Sequence, residues 1–371
     1  MSIANFLRHP ANNIYINKYM KMACYGGSSK YSEEISMEKR TGFLYVAIFV
    51  LAVIIGGALL LGRHRSEAGR EQMGTPTIYT ALPSQTNGYY RPFAGALKSF
   101  SAQLNASAAP VVTITKQHLD QPTSRFTYDD IWLRDVAPVI TTHMVKFRYA
   151  PSYLAKADRT YLDTRFRAWL KQMHFQYRTS DLVLDGGNLV WNGHDTVILT
   201  EHVFKDNPEW SRQEIVSELK YQLNVSHVII IPAEPGDVLG HADGMVKFIN
   251  ARTLYVSDFS GDDVLVHTVE RRIKAELPAA KFVILPSAYT AKDQYDRKIT
   301  SAKGLYINML ETPDTIYVPH YDLPADQRVL KIIRAHTAKK VVPIDVAKIS
   351  TTGGSVHCLT WDVPARLMPA H

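Results

Sequence analysis

The sequence predicts an α/β fold in which one strand–helix unit is used repeatedly, preceded by a single transmembrane helix. Three features lead there: an uncharged apolar run near the N-terminus, alternating β-branched and amphipathic segments after it, and a polar opening that recurs at five places.

The apolar run is Gly42 to Gly62, GFLYVAIFVLAVIIGGALLLG, 21 positions without a charge. At 1.5 Å per residue such a helix just crosses about 30 Å of hydrocarbon. Soluble core helices of that length carry a polar face, and this one has none. Arg63-His64-Arg65 follows directly, with no small-x-small cleavage site before it, so a retained anchor is expected rather than a cleaved signal. Residues 1–41 are an N-terminal extension on this reading, and Met37, opening the basic stretch MEKRTG, is the expected functional start. Lys39 and Arg40 on one side nearly balance Arg63 and Arg65 on the other. The expected topology places the N-terminus in the cytoplasm and the large domain outside, joined by a linker over 63–75.

From Pro76 to the end, strands are expected at Thr77–Leu82, Val111–Lys116, Val228–Pro232, Lys281–Pro286 and Lys340–Ile344, each rich in Val, Ile or other β-branched residues. Helices are expected at Ser211–Gln222, Asp263–Glu276 and Pro324–Ala335, the last with Pro324 in its first turn. Between them DGGNLVWNGHDTVILTEHVF, HADGMVKFINARTLYVSDF and INMLETPDTIYVPHYD each give a polar opening, a strand, a turn and a second strand. Asn192-Gly193 marks the first of these as a hairpin. The openings fall at Asp185, His241 and Asn308, with similar chemistry at Asp135 and Cys358, in steps of 50, 56, 67 and 50 residues. One β/α unit used five times around an axis would gather these positions in one pocket. Chance alignment is the competing explanation of the spacing alone.

Composition narrows the function. With 46% hydrophobic and 21% charged residues in 371, the chain is ordinary globular material with ample length for a core. The formal charge of +7 is unevenly placed: residues 1–75 hold 9 Lys/Arg against 5 Asp/Glu, leaving 33 against 30 for the rest. More than half of the excess therefore flanks the apolar run, and no basic stripe with interleaved aromatics follows, which disfavours a nucleic-acid partner. The two cysteines, Cys24 and Cys358, lie on opposite sides of that run, so the main domain has no disulfide framework. A lone thiol is more often an inert small hydrophobe than a nucleophile, and its neighbours must decide.

The five openings supply carboxylates, an imidazole, an amide and a thiol, a set suited to cleaving an arginine-like side chain. Guanidinium is planar and permanently charged, and it forms forked bonds to carboxylates. A thiol is a competent nucleophile whose pKa an adjacent cation lowers. A histidine can protonate departing ammonia and then activate water. At this point the chain resembles the agmatine deiminase and bacterial-type peptidylarginine deiminase family of guanidino-group-modifying enzymes. WLRDVAP (Trp132–Pro138), GHADGMVKF (Gly240–Phe248) and GGSVHCLTW (Gly353–Trp361) carry the resemblance, with DGGN (Asp185–Asn188) and GLYINML (Gly304–Leu310) in support.

The resemblance implies a five-fold pseudo-symmetric α/β propeller and hydrolysis of a guanidinium to a ureido group with loss of ammonia. By position, Cys358 would attack the guanidinium carbon to give a thiouronium. Asp135 and Asp243 would grip its nitrogens, His241 would act as acid and then base, and Asn308 would support the thiol. Asp185 either shapes a turn or touches the substrate's tail, and Trp132 and Trp361 either stack on the cation or pack the core. Asp135 could instead be half of an ion pair with Arg134, and His241-Ala242-Asp243 a metal-site fragment. His357, beside Cys358 on an expected strand, should face away from the pocket. No metal or organic cofactor is required. The chain departs from the family pattern at Ala137, where glycine is usual, at Asp185, where glutamate is common, and at Thr360-Trp361-Asp362. These leave agmatine and peptidyl-arginine as alternative substrates, and an outward-facing domain favours the peptide. Amidino transfer through the same intermediate, or a silent arginine-binding module, are the rival readings.

Overall fold

The computed structural model describes residues 74–83, 87–107, 110–115, 130–292 and 294–370. Five three-stranded sheets make up its β structure. The first joins β1 (Thr77–Leu82) and β2 (Val111–Thr115) to β15 (Trp361–Val363). The second holds β3 (Val139–Ile140), β4 (Met144–Arg148) and β5 (Arg178–Val183); the third holds β6 (Val190–Trp191), β7 (Thr196–Thr200) and β8 (His227–Ile231). The fourth comprises β9 (Val246–Asn250), β10 (Thr253–Ser257) and β11 (Lys281–Leu285). The fifth comprises β12 (Leu310–Glu311), β13 (Thr315–His320) and β14 (Lys340–Asp345).

All five share one plan. A short first strand runs antiparallel to the middle strand, and the middle strand runs parallel to the third. Parallel neighbours need a crossover, and in every sheet a helix supplies it. These helices are Ala94–Asn105, Lys156–Gln172, Arg212–Leu223, Asp263–Glu276 and Asp326–Ala335. The middle strands are buried almost throughout because both faces are covered; every residue of β7, TVILT, is buried. The helices are amphipathic at the matching period: Ile215, Leu219 and Leu223 of one, and Leu265, Val269 and Ile273 of another, face the sheets. Ser211 and Glu214 form a reciprocal capping box at the start of Arg212–Leu223.

In the first sheet the short strand comes from the far end of the chain: Thr77, Ile78 and Tyr79 pair with Val363, Asp362 and Trp361. The first sheet thus joins strands from both ends of the described residues. A cavity of about 350 Å³ is lined by residues of all five short strands, among them Ile140, Trp191, Lys247, Glu311 and Asp362.

The expected strands and helices hold to within a few residues, with two corrections. The helix near Pro324 begins at Asp326, so Pro324 precedes the first turn instead of lying in it. The Asn192-Gly193 hairpin is present, but its turn is longer than two residues. Asn192 Oδ1 accepts the backbone N–H groups of His194, Asp195 and Thr196 and organises it. The extension over 1–41, the apolar run over 42–62 and most of the 63–75 linker lie outside the described residues. Among the described residues no helix is long and apolar enough to cross a membrane.

Candidate active site

Each short strand after β1 is entered through a tight turn, and each turn carries one of the five polar positions. Asp135 lies in the single helical turn Leu133–Val136 before β3, and Asp185 opens the 3-10 turn Gly186–Asn188 before β6. His241 opens Ala242–Gly244 before β9, Asn308 precedes β12, and Cys358 precedes β15. Equivalent places in five like units therefore deliver two carboxylates, an imidazole, an amide and a thiol.

The structure brings them together. His241 Nδ1 is 3.6 Å from Asp135 Oδ1, and its Nε2 is 3.3 Å from Asp185 Oδ2. Cys358 Sγ lies 3.7 Å from Asp243 Oδ2, and its backbone N–H donates to Asn308 Oδ1 at 3.2 Å. Asp135, Asp185, His241, Asp243, Asn308 and Cys358 are all buried. Gly187 donates its N–H to Asp135 Oδ1 at 3.1 Å. A Cβ on Gly187 would stand 2.6 Å from Asp135 Oδ1 and 2.7 Å from His241 Nδ1, so glycine is required for the carboxylate and the imidazole to approach this closely.

Two cavities reach the thiol. One of about 460 Å³ is walled by Trp132, Asp135, Tyr149, Tyr153 and Cys358, with Asp158 and Asp296 also on its lining. The other, about 340 Å³, is lined by His241, Asp243, Asn308 and Cys358 together with Glu234 and Asp237.

Burial and the nearby Asp243 and Asp135 charges push the Cys358 thiol well above its ordinary pKa, which favours the neutral thiol. Burial alone would lower His241, but Asp135, Asp185 and Asp243 outweigh it and the imidazole is pushed up. Asp135 is also pushed up, chiefly by burial, with Asp185 and Asp243 adding to it and His241 opposing. Asp243 goes the other way: burial would lift it, yet the hydrogen bond from His357 and the His241 and Arg134 charges hold it below the carboxylate range.

Several expectations from the sequence need correcting. Cys358 lies in the turn Val356–Leu359, not on a strand, so alternation of strand faces does not apply. His357 faces the other cavity, the one lined by the short strands, but its Nδ1–H donates to Asp243 Oδ2 at 2.6 Å and so holds a site carboxylate. Burial and Arg134 push His357 down to about 4, which keeps it neutral. Asp185 opens the turn before β6, faces His241 and accepts from the Tyr153 hydroxyl at 2.9 Å. Arg134 pairs with Asp362 at 2.6 Å, leaving Asp135 to the site. Trp361 is fully buried and donates Nε1–H to Pro138 O, so it packs the core. Trp132 does line the thiol's cavity, and Gly354 stacks so closely on it that a Cβ there would come within 2.3 Å of Trp132 Cζ3. Sequence reasoning missed Tyr153 and Gly187. Gly187 was visible within DGGN, whereas nothing near Tyr153 in the chain advertises it.

A thiol, an imidazole and paired carboxylates stand together around two cavities, the groups that cysteine-dependent chemistry on a planar cation calls for. Consistent with that class, the chain belongs to the family of Porphyromonas-type peptidyl-arginine deiminases, whose family model matches residues 84–364. It is 26% identical over 328 residues to an agmatine deiminase of Pseudomonas putida, covering 73% of this chain and 85% of that one. Among solved structures it is similar to the agmatine deiminase of Enterococcus faecalis (TM-score 0.62, 18% identity, 79% of this chain and 94% of that one). It is likewise similar to the C. jejuni agmatine deiminase (TM-score 0.63, 18% identity, 78% and 94%). At these identities the likeness to solved structures is one of fold.

Proposed function

We propose that the protein hydrolyses the guanidinium group of a small agmatine-like molecule to a ureido group, releasing ammonia, with Cys358 as nucleophile. One observation carries this reading. Among the described residues, four buried side-chain nitrogens or oxygens lack a hydrogen-bond partner, and three of them, Asp185 Oδ1, His241 Nδ1 and Asn308 Nδ2, belong to the thiol's cluster. Buried polar groups left open cost free energy, so their concentration here marks where a ligand belongs.

The chemistry follows from the charges. A guanidinium entering between Asp135 and Asp243 supplies a counter-charge to the two carboxylates, each charge-assisted bond contributing about 1.5–3 kcal/mol. Its positive charge beside Sγ offsets the two carboxylates and lowers the thiol's pKa, so the nucleophile is activated only when substrate is present. The thiol's proton passes to solvent as the cation binds, and thiolate attack on the central carbon gives a tetrahedral adduct. His241 protonates the departing nitrogen, ammonia leaves, and a thiouronium remains. His241 then takes a proton from water, whose oxygen adds to the same carbon; the C–S bond breaks as the added hydroxyl gives up its proton to sulfur, and the ureido product leaves with the thiol restored.

Asp158 and Asp296 on the tyrosine-lined wall suit a short chain ending in a second cation. That favours a small amine over the peptide an outward-facing domain would suggest. The full chain, kept in detergent, should form ureido product and ammonia from agmatine, and a peptidyl-arginine should be the poorer substrate. Absence of product from both, with folded protein, contradicts the assignment.

We also propose that the five sheets stand around one axis as a five-bladed α/β propeller, a reading supported by the cavity that all five short strands line. The uncharged run over 42–62 supports a membrane anchor with the catalytic domain outside. Protease digestion of intact cells should then remove the domain, and its full protection would reverse the topology.

A further inference from the structure

We propose that Tyr153 is a positioning residue for His241, acting through Asp185 and supplying reach that the short aspartate side chain lacks. Tyr153 sits in the connection between β4 and the helix Lys156–Gln172. Its hydroxyl donates to Asp185 Oδ2 at 2.9 Å, and the same oxygen lies 3.3 Å from His241 Nε2. The other carboxylate oxygen, Oδ1, has no partner. The orientation of Asp185 is therefore set at Oδ2, where the phenol and the imidazole meet.

That junction decides which nitrogen of His241 works. With Nε2–H directed at Asp185, Nδ1 is the nitrogen left facing Asp135 and the place of the substrate, and it makes no hydrogen bond of its own. A carboxylate behind an imidazole fixes its tautomer and ring angle only if the carboxylate is itself held. Burial and the Asp185 charge keep the Tyr153 hydroxyl protonated far above neutral pH, so it stays a donor throughout the working range. The tyrosine ring also lines the larger cavity beside Cys358, which places this support along the path of the substrate's tail.

Glutamate in place of Asp185 would extend one methylene further and could meet His241 without the phenol. The test follows from that trade. Tyr153→Phe removes one oxygen and keeps the ring; kcat should fall roughly ten- to a hundredfold with KM within about twofold. Tyr153→Phe combined with Asp185→Glu should recover most of that loss, because the longer acid fills the space the hydroxyl vacates. The activity readout rests on the deimination proposed above, so a second measurement stands apart from it. His241 is faced by Asp135, Asp185, Asp243 and His202. In ¹⁵N-histidine NMR of the substrate-free protein, its titration should move to lower pH in Tyr153→Phe and return towards the original in the double variant.

Wild-type kcat in Tyr153→Phe, or an unmoved His241 titration, overturns the proposal, as does a double variant no better than Tyr153→Phe. If the wild-type protein releases ammonia from no guanidinium substrate, the deimination reading fails, while the NMR comparison still decides the role of Tyr153.

Discussion

Burial, and after it the same two carboxylates proposed to bind the substrate, push the Cys358 thiol well above its ordinary pKa. The sign of the effect of each carboxylate follows. Removing a negative charge beside Sγ stabilises the thiolate, so Asp243→Asn should make Cys358 alkylate faster with iodoacetamide at pH 7 than in the wild-type protein. The same change should lower kcat/KM about ten- to a hundredfold, because one charge-assisted bond to the cation is lost. Slower or unchanged alkylation would mean that Asp243 does not govern the thiol. At Gly187 a Cβ meets both Asp135 and His241, so Gly187→Ala should abolish activity while leaving the thermal transition within a few degrees of wild type. Most of this was legible in the chain, since Asp135, His241, Asp243, Asn308 and Cys358 all stand in short polar motifs. Tyr153 was not, because its role depends on a contact with Asp185 made across 32 residues and not on local sequence.

At the scale of single elements, the turns before the short strands matter more than the strands. His357 was expected to be a bystander because a strand was assumed; in the Val356–Leu359 turn it instead reaches Asp243. Its pKa of about 4 against the ordinary 6.5 carries a stability consequence. Between those values the unfolded chain binds a proton that the folded protein does not, so this contribution is intact above about pH 6.5 and is lost as pH falls towards 4. The full loss is about 3 kcal/mol. The stability difference between wild type and His357→Gln should therefore shift against the wild type as pH is lowered from 6.5 to 4.5. Denaturant titrations at several pH values check it, and a flat difference would show that His357 is not buried neutral. Strand and helix positions were readable from periodicity and β-branched runs, but the start after Pro324 and the Asn192 turn were not. Both depend on side-chain hydrogen bonds and cap geometry that periodicity does not encode.

Across the whole domain, pairing of β15 with β1 ties residues 361–363 to residues 77–79 and sets Trp361 among Tyr79, Phe166, Trp169 and Phe175. Trp361→Ala should cost about 3–5 kcal/mol, measured by denaturant unfolding. A cost below about 1 kcal/mol would mean that this pairing contributes little. The five-fold recurrence was visible in the spacing of the polar openings, yet the pairing was not, because β15 lies nearly the whole domain away from β1 in sequence. Cys358 stands three residues before β15, so site and fold depend on the same final segment. The most direct test of the central claim is acid-quenched mass spectrometry of the wild-type protein turning over agmatine. A thiouronium adduct mapped to the Cys358 peptide is the expected result; ureido product formed while that peptide stays unmodified, with the adduct elsewhere, would contradict it.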